Sequence, residues 1–201
     1  MPAGRPRTHD PDAIRKGIMQ CFWQLGFDRA SLPDLEAAAG INRKQLARDY
    51  GNKRGLYLQA LDDFAVFAGE RFVAPLEQTD EGLAAIRQVL LGLAELPQSP
   101  NGHLGCLICN ASREPMSQTD EDVSKRVHSY FDRIEGGYRN ALERADANGE
   151  IVPSAEKRQA TARLLFAVHV ALLVLARGGV ERPILRDVAE QALTSLKPAP
   201  A

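Results

Sequence analysis

The sequence predicts an all-α fold of about nine helices, and three observations support this prediction. The alternating pattern of strands is nearly absent. Apolar residues instead recur at helical spacing, and in the first such stretch they are Ile14, Ile18, Cys21, Phe22 and Leu25. Glycine, proline and Asn-Gly breaks separate one helical stretch from the next. We therefore expect helices packed on helices, with no sheet.

The first two helices have clear start and stop signals. Asp10-Pro11 supplies an N-cap acceptor followed by proline, and Gly26 is the predicted end of the first helix. Ser31 begins the second helix, and Gly40 permits the sharp turn after it.

The third helix is short and mostly polar. Asn42 is the predicted N-cap residue, and Gln45 is placed to complete a capping box with it. Only Leu46 and Tyr50 are predicted core contacts, and Gly51-Asn52 ends the helix. A long fourth helix follows and ends near Pro75, and further helices are predicted over 80–96, 103–114, 120–147, 155–177 and 184–196.

The charge distribution suggests the domain organisation. Residues 1–55 hold 10 Lys/Arg and 6 Asp/Glu, a net of +4, whereas residues 56–201 hold 15 and 20, a net of -5. A basic N-terminal part favours a phosphate-binding face there. We predict a flexible arm over 1–9, a helix-turn-helix domain over 10–55, and an effector-binding and dimerisation domain over 56–197.

Composition excludes several classes of protein. Three cysteines provide no disulfide framework, and the N-terminus has no signal-peptide pattern. The longest apolar run, Leu164–Ala176, has 13 residues, fewer than the roughly 20 that span a bilayer. We expect a cytoplasmic protein that does not enter the membrane.

The second and third helices have the layout of a helix-turn-helix, whose second helix reads the DNA major groove. Arg and Lys can donate to guanine, and Asn and Gln can pair with adenine. The predicted DNA-binding residues are Ser31, Asn42, Arg43, Lys44, Gln45, Arg48 and Lys53. Arg5 lies in the N-terminal arm, which either enters a minor groove or is a plain tail. A solvated charged helix is the alternative interpretation of the polar face.

The segment also resembles the DNA-binding domain of TetR-family transcriptional repressors. The residues that carry the resemblance are FDRASLPDL at 27–35, AGI at 39–41 and YGNKRGLY at 50–57. It covers about residues 10–65 and implies an all-α homodimer with a variable ligand-binding domain. The resemblance adds Tyr50 to the residues at or near DNA. The family often has tyrosine where this sequence has Ala47.

The segment from Leu164 to Leu175 is apolar almost all round, so its helix must be buried on more than one face. The resemblance implies that the helices near 155–177 and 184–196 pair across a two-fold axis as a four-helix bundle. Candidate residues for an effector pocket are Cys106, Cys109, Phe131, Tyr138, Phe166 and His169. His169 is alternatively a hydrogen-bonded core histidine.

Cys106 and Cys109 lie three residues apart near a predicted helix start, and three interpretations stay open. A low-pKa Cys106 could sense electrophiles or oxidants, or close a disulfide with Cys109. His103 and the two cysteines could bind a soft metal. Both thiols could instead be small buried hydrophobes.

The sequence therefore predicts a DNA-binding transcriptional regulator with no cofactor, no metal and no enzymatic activity. We expect a homodimeric repressor, released from a palindromic operator by a small-molecule or thiol-reactive signal. The alternatives are a thiol oxidoreductase using Cys106 and Cys109, and a helical adaptor that has lost DNA binding, as Ala47 would allow. The oxidoreductase motif belongs beside a βαβ pattern, which this sequence lacks.

Overall fold

A computed structural model describes residues 10–78, 80–150 and 154–196 of the chain. Within those ranges it contains eleven α-helices, two short 3-10 turns and no strand, so the all-α prediction is confirmed. Eight of the eleven helices have eight or more residues. The predicted arm over 1–9 and the C-terminal tail lie outside the described residues.

The N-terminal unit consists of three helices and the first part of a fourth. They are α1 (Pro11–Arg29), α2 (Leu32–Ala39), α3 (Arg43–Tyr50) and α4 (Lys53–Phe72). Every helix contributes to one apolar core, in which Phe22, Leu35, Leu46 and Tyr57 are at most 1% exposed. Burial of such side chains stabilises the unit by about 1.5–3 kcal/mol each.

The helices α1 and α2 cross closely, and Gly17 makes this crossing possible. A Cβ atom at position 17 would lie 2.1 Å from the carbonyl oxygen of Ala38. Backbone cannot move aside as a flexible side chain can, so only glycine fits. The approach of α1 fixes the position of α2 within the N-terminal unit.

The boundary between the two units differs from the predicted one. It falls between Phe64 and Ala65, inside α4, rather than between residues 55 and 56. Tyr57, Leu61 and Phe64 are buried in the N-terminal unit, and the Phe64 ring lies 4.9 Å from that of Trp23. Gly51, which ends α3, marks a turn between helices and not the end of the core.

The first helix breaks at Gly26, as predicted, and a short helical turn follows the break. Gly26 has φ 76° and ψ 174°, which kinks α1, but helical backbone resumes and continues to Arg29. Phe27 turns back beyond the kink, and its ring lies 5.1 Å from the Tyr57 ring. This ring contact attaches the residues after the kink to α4 within the N-terminal unit.

The C-terminal unit contains the remaining helices. The long ones are α6 (Leu83–Ala94), α9 (Glu121–Ala147), α10 (Ala155–Arg177) and α11 (Arg182–Thr194), and the short ones are α5 (Ala74–Gln78), α7 (Leu107–Ala111) and α8 (Met116–Thr119). The predicted helix over 103–114 was wrong. A 3-10 turn at Gly102–Leu104 and α7 replace it, because Gly105 between them has φ 67°, which is not helical.

Helix α10 matches the predicted range 155–177 and is long and apolar enough to cross a membrane by length and composition. A core helix of a soluble protein passes the same test, and Leu165, His169 and Leu172 of α10 are indeed buried. Its other side is different: Leu164 is 53% exposed and Val174 42% exposed. Ile184, on α11, is 54% exposed. The unit therefore leaves apolar side chains of its last two helices uncovered.

Candidate nucleic-acid interface and buried thiol pair

The start of α2 is held by a reciprocal capping box. Asp34 N–H donates to the Ser31 hydroxyl at 3.3 Å, and Ser31 N–H donates to the Asp34 carboxylate at 2.9 Å. The Ser31 hydroxyl itself donates to Asp34, which with the backbone bond lowers the pKa of that carboxyl. Ser31 is exposed as predicted, but its hydroxyl is already used in the cap.

Gly40 forms the turn between α2 and α3. Its φ of 67° lies in the left-handed region that favours glycine, and its N–H donates to the Glu36 carbonyl at 3.0 Å. This closes α2 and redirects the chain into α3 within two residues, Ile41 and Asn42. Ile41 is buried and anchors the turn to the core.

A second capping box begins α3, as predicted. Gln45 N–H donates to the Asn42 side-chain oxygen at 3.0 Å, and Asn42 N–H donates to the Gln45 side-chain oxygen at 3.2 Å. Both amide oxygens therefore hold the helix start. The sequence predicts that these two residues pair with adenine through both the oxygen and the nitrogen of each amide. Because the caps already use the two oxygens, such pairing has to break the cap hydrogen bonds. Their amide nitrogens are the atoms best placed to donate outward.

The exposed face of α3 is basic. Leu46 points into the core at 1% exposed, whereas Arg43, Lys44, Ala47 and Arg48 are all exposed. Lys44 lies three residues before Ala47, and Arg43 and Lys44 lie four residues before Ala47 and Arg48, so the four share one side of the helix. We call this set the α3 face. It presents cationic side chains around the small Ala47 side chain.

Arg48 is not a free cation. Its guanidinium lies 2.6 Å from the carboxylate of Asp49 and pairs with it through two hydrogen bonds. These bonds raise the pKa of Arg48 and lower that of Asp49. Both side chains are largely exposed, so water screens the pair, and a phosphate could replace Asp49 as the partner.

Tyr50 ends α3, and Lys53 begins α4 in the same unit. The Lys53 ammonium donates to the Asp28 carbonyl at 3.3 Å and lies 4.6 Å from the centre of the Phe27 ring. Burial raises the pKa of the half-buried Tyr50 hydroxyl. The sequence did not indicate that Asp28 and Phe27 contact Lys53, or that Asp49 pairs with Arg48. The predicted residue Arg5 lies outside the described residues.

The six residues predicted for an effector pocket form three pairs in the C-terminal unit. The rings of Phe131 and Phe166 lie 5.5 Å apart. The Tyr138 hydroxyl and His169 Nδ1 share a hydrogen bond of 3.1 Å. His169 Nε2 is buried with no hydrogen-bond partner among the described residues. Burial lowers the pKa of His169 to about 3 and raises that of Tyr138.

Cys106 and Cys109 form the third pair. Cys106 is the N-cap residue of α7, and its sulfur accepts the Cys109 N–H at 3.5 Å. Burial alone would raise the pKa of Cys106. Hydrogen bonds from the Cys109 thiol and from the N–H groups of Cys109 and Ile108 oppose burial and lower it. The pKa of Cys109 is raised, first because its thiol is bonded to Cys106 and then by burial.

The soft-metal interpretation of this segment is not supported. Cys106 and Cys109 are 3% and 5% exposed, whereas His103 is exposed to solvent. Over residues 10–78, 80–150 and 154–196, no group of three or more His, Cys, Asp and Glu side chains is arranged to hold a metal ion. The positive φ of Gly105 separates the 3-10 turn that carries His103 from the cysteines.

A cavity of about 540 Å³ opens elsewhere in the C-terminal unit. Its lining residues are Pro97, Gln98, His103, Ala176, Gly179, Val180, Glu181, Arg182 and Pro183. None of the six predicted pocket residues is among them. The assignment of those six residues to an effector pocket therefore stays a prediction.

Comparisons with known proteins agree with the geometry of the N-terminal unit. The family described as "Bacterial regulatory proteins, tetR family" matches residues 14–60, which include α2, the Gly40 turn and α3. The chain belongs to the TetR family of transcriptional regulators. It is thus a DNA-binding regulator rather than an enzyme, and its N-terminal unit is the helix-turn-helix domain of that family.

The similarity extends over most of the chain. The HTH-type transcriptional repressor ComR of Escherichia coli is 26% identical over 94% of this chain and 90% of its own length. The regulator YezE of Bacillus subtilis, named as uncharacterized, is 24% identical over 96% and 99%. A structure of a cysteine mutant of the TetR-family regulator CifR with operator DNA has a TM-score of 0.82 and 25% identity, covering 95% of this chain and 99% of CifR.

Proposed function

We propose that this TetR-family regulator is a cytoplasmic homodimeric repressor that binds a palindromic operator through the α3 face and releases it when the C-terminal unit receives a signal. The single observation that carries the proposal is the exposed basic surface of α3, set on a helix whose two neighbouring turns are fixed by caps. A preorganised helix loses little conformational entropy when it enters a major groove.

Ala47 fits a reading role for this face. Its methyl group lies among Arg43, Lys44 and Arg48, and alanine can contact the methyl group of thymine. A larger side chain there would hold the helix further from the bases. The absence of the tyrosine that is common in the family is therefore compatible with base contact by α3.

The other predicted DNA residues divide into two groups. Lys44, Arg43 and Arg48 can extend toward bases or phosphates from the α3 face. Ser31 is bonded to Asp34, and Lys53 is bonded to the Asp28 carbonyl. We propose that these bonds hold the two residues in place in the free protein, and that a DNA phosphate replaces Asp34 and Asp28 as their partners. Asn42, Gln45 and Tyr50 support the helix at its two ends.

Two relatives support repression and operator binding. ComR is named a repressor, and the CifR structure contains 26-base-pair operator DNA. Dimerisation through α10 and α11 is supported by the exposed apolar side chains Leu164, Val174 and Ile184. A dimer would present two α3 helices to half-sites about 34 Å apart.

The first test is selection of bound duplexes from a random DNA library by the reduced full chain. We expect enrichment of an inverted repeat, and affinity for it should fall steeply with salt because phosphate contacts release counterions. A variant with Lys44→Ala should bind the selected site more weakly. Selection of no sequence by reduced, ligand-stripped protein would contradict the proposal.

A further inference from the structure

The segment Cys106-Leu107-Ile108-Cys109 has a geometry that the DNA-binding role does not require. Both thiols are buried in the C-terminal unit, and the Cys109 backbone N–H donates to the Cys106 sulfur at 3.5 Å. Two cysteines that serve only as packing groups need not share hydrogen bonds. The arrangement instead brings one sulfur to the other.

We propose that Cys106 and Cys109 form a reversible intrachain disulfide, in which Cys106 reacts first with hydrogen peroxide and Cys109 resolves the product. Residues three apart at a helix start have Cα atoms about 5 Å apart, within the range that disulfides span. Cys106 has extended backbone, φ −108° and ψ 124°, outside the rigid helical turn. Its side chain can therefore move toward Cys109 without unwinding α7.

The two thiols have different roles because their hydrogen bonds differ. Cys106 is the N-cap residue of α7, and its sulfur accepts the Cys109 N–H at the helix start, a position that stabilises a thiolate. Cys109 lies inside α7, where its interaction with Cys106 and then burial raise the pKa of its thiol. Cys106 is thus the nucleophile. The burial of both sulfurs favours a small oxidant over a bulky electrophile.

The reaction balances in two steps. The Cys106 thiolate attacks one peroxide oxygen, so an S–O bond forms, the O–O bond breaks, and the departing hydroxide takes the proton that the thiol released to become water. Cys109 sulfur then attacks Cys106, so an S–S bond forms, the S–O bond breaks, and the hydroxide leaves as water with the Cys109 proton. Two thiols lose two electrons in total, and one peroxide becomes two waters.

The third cysteine provides an internal contrast. Cys21 lies buried in the N-terminal unit, and burial raises the pKa of its thiol. Its sulfur has neither the N-cap position nor a second cysteine within three residues in sequence. Cys21 should therefore stay reduced under conditions that oxidise the Cys106–Cys109 pair.

The pair is also attached to α10. Arg177 donates to the Leu104 carbonyl at 2.6 Å. A Cβ atom at Gly105 would meet the Arg177 Cβ at 3.0 Å and the Leu173 carbonyl oxygen at 3.2 Å. The residues just before Cys106 therefore pack tightly on α10. We expect formation of the S–S bond, which is about 2.05 Å long, to shift this segment against α10. If α10 is in the dimer interface, as the proposed function holds, oxidation changes the spacing of the α3 helices.

The decisive experiment is mass spectrometry of the intact regulator after brief treatment with hydrogen peroxide, followed by alkylation in denaturant. Tryptic cleavage after Arg87 and Arg113 leaves both thiols in one peptide and places Cys21 in another. We expect the first peptide to lose two hydrogens and resist alkylation, and dithiothreitol to reverse this. The peptide containing Cys21 should be alkylated throughout.

Variants assign the two roles. Cys109→Ser should leave a sulfenic acid on Cys106 that dimedone traps, Cys106→Ser should leave Cys109 unreacted, and Cys21→Ala should behave as wild type. Thermal unfolding of each variant checks that it is folded. Oxidised wild type that carries dimedone on Cys106 and no peptide lacking two hydrogens would overturn the proposal.

Operator affinity is measured on the same oxidised and reduced samples. We expect oxidation to weaken binding by roughly 5- to 150-fold, the usual range of coupling between two sites. A disulfide that forms with unchanged affinity would refute the coupling through α10 but support the dithiol chemistry. Failure of the reduced protein to bind DNA would contradict the proposed function. The peptide masses would still show whether the disulfide forms.

Discussion

The Tyr138 hydroxyl and His169 Nδ1 are joined by a 3.1 Å hydrogen bond inside the C-terminal unit, and Nε2 of the same imidazole has no partner among the described residues. The histidine is thus only half satisfied. An imidazolium would have to place its second N–H in the apolar interior, which is unfavourable without an acceptor. This explains why burial lowers the pKa of His169 to about 3.

This pair predicts an acid-sensitive stability. His169 binds a proton in the unfolded chain below its ordinary pKa of 6.5 but not in the folded chain until about pH 3. Stability is therefore full above about pH 6.5 and falls as the pH decreases toward 3, by about 1.4 kcal/mol per pH unit in the steep part. Denaturant unfolding of wild type and His169→Gln between pH 7 and 4.5 measures this difference.

The control for that experiment is His128→Gln, because His128 is exposed on the same unit. It should retain the pH dependence of wild type. If His169→Gln lost stability with falling pH as steeply as wild type does, another group would be responsible for the acid sensitivity.

The Arg48–Asp49 ion pair predicts two opposite effects on DNA binding. Arg48→Ala removes a cation from the α3 face and should weaken operator affinity by about 10-fold or more. Asp49→Ala removes an anion and releases Arg48, so it should strengthen affinity. The two substitutions change the net charge in opposite directions at adjacent positions.

Fluorescence anisotropy with the selected operator at two salt concentrations measures both effects. Arg87→Ala is the matched control, because Arg87 is an exposed arginine on α6 of the other unit. Its affinity should equal that of wild type. Equal affinities of Arg48→Ala and Arg87→Ala would remove Arg48 from the DNA interface.

The Asn42 cap can be separated from any DNA contact by two substitutions. Asn42→Ala loses the hydrogen bond to Gln45 N–H and should destabilise the N-terminal unit by about 1 kcal/mol. Asn42→Asp keeps the cap but adds a negative charge beside the α3 face, so it should retain stability and lose DNA affinity. Thermal melts and operator titrations of both variants test this. Wild-type affinity in Asn42→Asp would show that position 42 is remote from phosphate.

Local signals in the sequence predicted most of the helix-turn-helix. The start of α2 at Ser31 and the Asn42–Gln45 capping box were predicted from local signals alone, because a cap is made between residues close in sequence. The Gly40 turn followed from its conformational freedom. The predicted limits of α10 agree with the structure for the same reason: polar and glycine signals flank a continuous apolar stretch.

Features that depend on packing between distant segments were not predicted. The unit boundary lies at Phe64 because the Phe64 side chain contacts Trp23, which is far away in sequence. The contact of Lys53 with the Asp28 carbonyl joins residues 25 apart. The break at Gly105 was missed because an apolar run resembles a continuous helix even when its glycine has a positive φ.

The crossing at Gly17 predicts a severe folding defect. Gly17→Ala would place a methyl group 2.1 Å from the Ala38 carbonyl oxygen, so α1 and α2 could not keep their approach. We expect the N-terminal unit to be largely unfolded at 37 °C.

Gly136→Ala is the control, because a Cβ there meets only the end of the Arg139 side chain at 3.9 Å. Alanine at that helical position should be neutral or stabilise by about 0.5–1 kcal/mol. Thermal unfolding followed by circular dichroism compares the two variants with wild type. Equal melting temperatures of Gly17→Ala and Gly136→Ala would refute the requirement for glycine at position 17.

The exposed apolar side chains of α10 predict where the subunits meet. Leu164 and Val174 lie on the 23-residue helix whose most apolar window is only 33% buried within one chain. A second subunit would remove this surface from water, which favours association by about 25 cal/mol per Å² of apolar area before the entropic costs of binding. A charge at either position would have to be buried without a partner, so Leu164→Asp or Val174→Asp should produce monomers.

Sedimentation equilibrium across a range of protein concentrations measures the effect. Val66→Asp is the matched control, because Val66 is 60% exposed on α4, outside the proposed interface. It should remain as dimeric as wild type. The monomeric variants should keep their helical content. They should lose operator affinity, because a monomer has a single α3 helix and contacts only one half-site. Dimers of unchanged stability in Leu164→Asp and Val174→Asp would place the subunit contact on another surface.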